Sequence, residues 1–298
     1  MDHKTINTEA YFITKEAIQD LKNNHNQTPN LDSRILLGFA MGLDRAIYPH
    51  EKINITENEI NIFKKYIQNR IKGKPVSRIL GFKNFWKMNF KISKATLDPR
   101  PDSEVIIETI MKFYPDKSKI LRILDLGSGS GCLGLSILYE YNKSKAFFLD
   151  RSLESLKIAK YNALKYKMEK RSEFICLNWN NEMWDKELHN IVKSNLFDII
   201  ISNPPYIPSS QIQELQIEVK TYEPAMALDG GKDGITSYRC ILPKLVNLLS
   251  SEGHAFIEIG INQKNECINI FKQNSINCLE IIKDYQNIER ILVFKKIK

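Results

Sequence analysis

Leu121-Arg122-Ile123-Leu124-Asp125-Leu126-Gly127-Ser128-Gly129-Ser130-Gly131-Cys132-Leu133-Gly134-Leu135-Ser136-Ile137-Leu138 decides the fold class. The apolar run at its start reads as a buried parallel strand, the glycines as a tight turn, and the apolar spacing after Gly131 as a helix. Lys145 to Asp150 and Glu173 to Leu177 repeat the strand signature downstream, as do Phe197 to Ser202, Gly253 to Ile259, Cys278 to Lys283 and Arg290 to Phe294. Strands alternating with helical stretches in this way imply an α/β sheet with helices on both faces.

Glycines let the backbone turn sharply and let a ligand approach the main chain where a Cβ would intervene. A dinucleotide fingerprint needs its third glycine three positions after the second, and position 132 is Cys. The form Gly127-x-Gly129-x-Gly131, preceded by Asp125, looks instead like motif I of S-adenosyl-L-methionine-dependent methyltransferases. Asp150 ends the second strand about 20 residues past the loop, where a carboxylate can accept both ribose hydroxyls. Asp150 is therefore the ribose-ligand candidate, with an N-terminal carboxylate for the helix signalled from Ser152 to Tyr166 as the lesser alternative. Asn178 and Trp179 follow the third strand, where this kind of fold places an acceptor for an adenine amine and a side chain against the ring. A core indole is the alternative for Trp179. The donor-site candidates are therefore Gly127, Ser128, Gly129, Ser130, Gly131, Asp150 and Trp179, with Asn203 at the reacting end.

Asn203-Pro204-Pro205-Tyr206 follows the apolar strand Phe197 to Ser202. Methylating a planar, conjugated nitrogen requires that the amino group be held and that the growing positive charge on it be stabilised. The Asn203 side-chain oxygen and the Pro204 carbonyl can each accept one N–H, and the prolines fix the turn without donating. Tyr206 offers a flat face for stacking. Without the glycine loop upstream, the four residues could be an ordinary turn after a buried strand.

Taken together, these motifs resemble the peptide chain release factor glutamine methyltransferase family, the protein-(glutamine-N5) methyltransferases of HemK/PrmC type. Thr96-Leu97-Asp98-Pro99-Arg100-Pro101-Asp102-Ser103-Glu104 is similar to that family's Pro-Arg-Pro-Asp-Thr-Glu signature. Tyr222-Glu223-Pro224 through Gly230-Gly231-Lys232-Asp233-Gly234 looks like its Glu-Pro and Gly-Gly-x-Asp-Gly block, and Gly73 to Gly81 with Phe85-Trp86 like its connector. The resemblance runs from about Leu31 to the C-terminus. It implies a Rossmann-like class I methyltransferase domain with a seven-stranded, mostly parallel sheet, a small N-terminal helical bundle and a connecting β-hairpin. It also implies transfer of methyl from S-adenosyl-L-methionine to the glutamine of the Gly-Gly-Gln loop in class I release factors, leaving S-adenosyl-L-homocysteine. Asn203 to Tyr206 would then hold the glutamine, with Arg100 and Glu104 lining the site mouth. Three positions depart from the family pattern: Asp98 stands where an aliphatic residue is usual, Asn178 where Asp is usual, and Asp284 to Arg290 lacks a customary glycine.

The 298 residues, 43% hydrophobic, can bury one full α/β domain and a smaller companion. The expected division is a helical domain at 1–75, a hairpin linker at 76–98 and the methyltransferase domain at 99–298. Apolar stripes at Ile13, Ala17, Ile18 and Leu21, at Ile35, Leu36, Phe39 and Ala40, and at Ile60, Phe63, Ile67 and Ile71 predict three helices, the last with a Thr56-x-x-Glu59 capping box. Phe82, Phe85, Trp86 and Phe90 are expected in the hairpin. The Ile207 to Ile235 connector is long enough to read as a lid or binding loop.

A net charge of +8 favours an acidic partner, which could be nucleic acid, ribosome or an acidic protein surface. Five cysteines without a Cys-x-x-Cys pair and five unclustered histidines support neither a metal site nor a disulfide framework. The N-terminus lacks a signal pattern and no apolar run is of membrane-spanning length, so with these cysteines the expectation is a cytoplasmic protein, a monomer by default. The competing reading is a nucleic-acid methyltransferase acting on exocyclic amines of adenine, cytosine or guanine. Against it stand the lack of a target-recognition domain and of a basic-aromatic patch, so no stable nucleic-acid complex is expected. A non-enzymatic scaffold is a more distant alternative, as is a piece of a longer fusion with a second methyltransferase domain.

Overall fold

The computed structural model describes residues 5–193, 196–272 and 276–296, in two units. The first comprises Met1–Gly81 together with Ile217–Tyr222. In it β1 (Thr5–Glu9) is followed by α1 (Ala10–Asn23), α2 (Pro29–Ala40), β2 (Lys52–Thr56), α3 (Glu57–Ile71) and the short α4 (Val76–Leu80). Ala17, Leu21, Leu36, Leu37, Phe63 and Ile67 form its core. The Thr56 hydroxyl accepts the Glu59 N–H at 3.3 Å and the Glu59 carboxylate accepts the Thr56 N–H at 2.7 Å, so the capping box starts α3. Arg70 is buried between Asp32 and Glu218, each 2.6 Å away.

The ribbon of β1 and β2, antiparallel with Thr5 opposite Thr56, adds two strands to a module whose sequence reads as helical. Ile53 and Ile55 are buried while Lys52 and Asn54 are exposed, the alternation of a half-buried strand. The signal is only five residues long and abuts a strong helix cap, which is why helical patterning masks it.

The second unit, Phe82–Gln216 with Glu223–Lys298, opens with the hairpin β3 (Phe82–Phe85) and β4 (Met88–Lys91). It continues through α5 (Glu104–Phe113), β5 (Arg122–Leu126), α6 (Cys132–Glu140), β6 (Lys145–Asp150), α7 (Leu153–Lys165), β7 (Ser172–Cys176), α8 (Trp184–Ile191) and β8 (Phe197–Ser202). After β8 come α9 (Ile217–Tyr222, in the first unit), α10 (Thr236–Ile241), α11 (Leu245–Leu248), β9 (Leu249–Glu258), α12 (Lys264–Lys272), β10 (Ile276–Lys283) and β11 (Glu289–Lys296).

Seven strands form one sheet in the order β10-β11-β9-β8-β5-β6-β7. Pairing is parallel from β9 to β7, while β11 runs antiparallel to both its neighbours. Alternation sends Leu124, Leu126, Ile200 and Ile257 into one core layer and Ile123, Ile199, Ile201 and Phe256 into the other. Both faces are thus covered, which explains why these strands read as unbroken apolar runs. Among the described residues, no helix is long and apolar enough to cross a membrane.

Candidate active site

The chain reverses its direction of travel across the sheet beside β5: β6 and β7 extend it to one side, β8 and β9 to the other. The carboxyl ends of parallel strands at such a reversal leave a crevice between the loops that follow them. Leu126 pairs with Leu149 on β6 and with Ser202 on β8, so the residues next in sequence, Gly127 and Asn203, emerge side by side. The loops there line a cleft with about 870 Å³ of atom-free space, its open mouth included.

The N–H groups of Gly127 and Ser128 donate to Leu149 O at 2.8 and 3.0 Å, curling the loop over the end of β6. Gly127 has φ +74°, and a Cβ built on it would lie 2.8 Å from Cη2 of Trp179. Asp150 serves both roles its position suggests. Its Oδ2 accepts the Gly129 N–H and its Oδ1 the Ser152 N–H, each at 2.9 Å, and the carboxylate also lines the cleft with acceptor capacity to spare. Burial raises its pKa above the ordinary value, opposed by those two N–H bonds. Trp179 likewise lines the cleft while packing against the core. The buried Ser128 hydroxyl has no hydrogen-bond partner among the described residues, which suits a cradle for a polar ligand. Deeper, Asp125 accepts the Gly134 N–H at 3.0 Å, and burial pushes its pKa up to about 7.

On the β8 side, Asn203 Nδ2 donates to Ser103 Oγ at 3.2 Å, and Ser103 Oγ donates to Glu258 Oε2 at 2.6 Å. Glu258 is buried, and desolvation raises its pKa to about 7. Gln263 bridges three backbone groups behind the loop: Nε2 donates to Tyr206 O and Gly234 O at 2.9 and 3.2 Å, and Oε1 accepts the Gly260 N–H at 2.9 Å. An acceptor-bearing side chain on a braced loop, facing a glycine cradle with a carboxylate, can hold an amino group beside a bound nucleoside.

The family model described as PrmC N-terminal domain matches residues 13–81, and that described as Methyltransferase small domain matches residues 92–222. The release factor glutamine methyltransferase of Caulobacter vibrioides is 32% identical, covering 96% of this chain and 94% of its own. That of Bradyrhizobium diazoefficiens is 37% identical over 78% of this chain and 76% of its own. The chain belongs to the release factor glutamine methyltransferase family. It is an enzyme, a methyltransferase, and its second unit has the class I methyltransferase fold. A bifunctional methyltransferase of Rickettsia conorii is 31% identical over 96% of this chain and 57% of its own length.

Within this methyltransferase the cleft gathers Arg100, Gly127, Ser128, Gly129, Ser130, Asp150, Trp179, Asn203 and Pro205. Gly131 and Pro204 do not line it; Gly131 starts α6, where a Cβ would press on Ala159 at 3.2 Å. Tyr206 also lies outside, lining a second depression, with its hydroxyl 3.5 Å from Glu258 Oε1. Glu104 occupies the first turn of α5, where its carboxylate accepts the Trp86 N–H at 2.6 Å. Arg100 pairs with Glu223 at 3.3 Å.

Of the positions that depart from the family pattern, Asp98 lines the cleft and its N–H donates to Glu223 at 3.1 Å. Asn178 is exposed, outside the cleft lining, and its Oδ1 accepts the Asn180 N–H. In the turn lacking glycine, Asn287 takes φ +65°, a conformation asparagine tolerates. Sequence reasoning passed over Ser103, Glu258 and Gln263. Ser103 sits inside a quoted signature, but nothing local reveals that its partner is a carboxylate on a distant strand.

Proposed function

We propose that the protein transfers the methyl group of S-adenosylmethionine to the side-chain amide nitrogen of the glutamine in the Gly-Gly-Gln loop of class I peptide chain release factors, modulating translation termination. The observation that carries this reading is the shared cleft of Asn203, the glycine loop and Asp150, in a chain belonging to the release factor glutamine methyltransferase family. The donor, when bound, supplies an electrophilic methyl on a sulfonium sulfur.

Gly127, Ser128, Gly129, Ser130, Asp150 and Trp179 would hold that donor, Asp150 through the ribose hydroxyls, with Gly131 setting the start of α6 behind them. Asn203 Oδ1 would accept one N–H of the glutamine amide and hold its nitrogen toward the donor, while Pro204, outside the cleft lining, would fix the turn that carries Asn203. A methyl supplied in this way would leave a neutral thioether behind and bring positive charge to the amide nitrogen. Asn203 Oδ1 would favour that charge, so no strong base is needed before transfer, and the acidified N–H would afterwards lose its proton to water. On the same reading, the helical module at 1–75 helps to grip the release factor, and residues 99–298 carry the transfer. The protein acts as a cytoplasmic monomer without a metal or a stable nucleic-acid complex.

The experiment is mass spectrometry of peptides from a purified class I release factor incubated with the protein and S-adenosylmethionine, with Asn203→Ala as control. One added methyl on the Gly-Gly-Gln glutamine, absent in the control, is expected. An unmodified factor despite intact donor binding would redirect attention to nucleic-acid amines.

A further inference from the structure

We propose that Ser103 and Glu258 are positioning residues that set which way round the Asn203 carboxamide sits in the cleft. The inference rests on the transfer reading above and concerns how its acceptor oxygen is aimed. A carboxamide is nearly symmetric in shape, and turning it over would present Nδ2, a donor, to the amide that has to be methylated. A serine hydroxyl by itself does not prevent this, because it can donate to Oδ1 as readily as it accepts from Nδ2.

Glu258 removes the ambiguity. It lies at the end of β9, 2% exposed, with Oε2 2.6 Å from Ser103 Oγ. An ionised carboxylate can only accept, so it takes the single Ser103 proton. Ser103 Oγ can then only accept from Asn203, and the 3.2 Å contact is an Nδ2–H donation. Oδ1 is left for the substrate.

The groups acting on Glu258 come from several elements: the Ser103 and Tyr206 hydroxyls, the Arg290 guanidinium of β11, and Asp102 beside Ser103. Arg290 is itself held by Asp284 at 3.1 Å. Burial outweighs the favourable members of this set and places the Glu258 transition near pH 7. Once protonated, Glu258 can donate to Ser103, whose own proton is then free to turn toward Asn203, and the preference for the productive orientation is lost. Turnover should therefore fall as pH drops through about 7.

The test compares kcat and donor Kd for the full-length protein and for Ser103→Ala, Ser103→Thr and Glu258→Gln, with release factor as substrate. Ser103→Ala is expected to lower kcat by about 100-fold, the scale of a small misplacement at a reacting centre, with donor Kd unchanged. Ser103→Thr restores a hydroxyl and should recover most of the lost rate, and Glu258→Gln should abolish the acid limb of the kcat profile near pH 7. An unimpaired Ser103→Ala, equal losses in the Ala and Thr variants, or an acid limb that persists in Glu258→Gln would each overturn the positioning role alone. No methylation by the unsubstituted protein would overturn the transfer reading and this inference with it.

Discussion

Asp150 Oδ2 accepts the backbone N–H of Gly129 at 2.9 Å, tying the end of β6 to the middle of the glycine loop. The same carboxylate caps the start of α7 through Ser152, so one side chain braces two elements and faces the cleft. Asp150→Ala should raise the donor Kd by about 10- to 100-fold, the equivalent of one or two hydrogen bonds to a charged group at about 1.5 kcal/mol or more each. Calorimetric titration with S-adenosylmethionine checks this. At saturating donor, kcat should stay close to that of the parent protein.

Asn203→Ala should do the reverse. Losing one preorganised hydrogen bond to a centre that becomes charged costs about 3 kcal/mol in the transition state, a fall in kcat of more than 100-fold. Donor affinity should fall far less, because the glycine loop follows β5 and Asp150 ends β6, away from the end of β8. A variant that loses donor affinity and keeps its turnover would refute the assigned role.

Gln263 is 9% exposed and satisfies Tyr206 O, Gly234 O and the Gly260 N–H at once. Gln263→Leu keeps similar bulk but leaves these groups unpaired, at about 1–3 kcal/mol for each one that water cannot reach. Urea unfolding should report the loss of stability. A midpoint equal to that of the parent would mean that the loop is held by other contacts.

The pH dependence of stability has a sign that can be worked out from Asp125. Its carboxyl ionises near 3.8 when exposed but near 7 when buried in the fold, chiefly through desolvation. The folded state therefore binds the extra proton between these values, and the stability this contributes is full below about pH 4 and lost as pH rises through about 7. Asp125→Asn can still accept the Gly134 N–H and removes the titration. Between pH 5 and 8 the parent protein should lose more stability in urea titrations than Asp125→Asn does. Equal losses would show that Asp125 is already ionised at pH 5.

Much of the site was legible because its chemistry is carried by backbone conformation and by residues adjacent in sequence. Gly127, Gly129 and Gly131 announce a turn that only glycine adopts without strain, each with positive φ in the structure. Asp150 and Asn203 are recognisable because each directly follows, or closes, an apolar run that must be a buried strand. Tyr206 and Glu104 were harder to place. Their sequence neighbourhoods mark a site, but the direction of a side chain depends on partners from elsewhere, here Glu258 for one and the Trp86 N–H for the other.

The sequence by itself determined the alternation of strands and helices, the turn at the glycine loop, and the adjacency of an acceptor side chain to a strand end. These follow from local sterics and from hydrophobic period, which act over a few residues. Only the tertiary structure decided which way the Asn203 carboxamide faces, because that rests on Ser103, 100 residues upstream, and on Glu258, 155 residues beyond Ser103. A hydrogen bond between residues so far apart in the chain leaves no periodic or local mark. It exists because parallel pairing of β8 and β9 brings Asn203 and Glu258 to one edge and the turn before α5 sets Ser103 between them, where desolvation makes every unpaired polar atom costly and so fixes the direction of each donor.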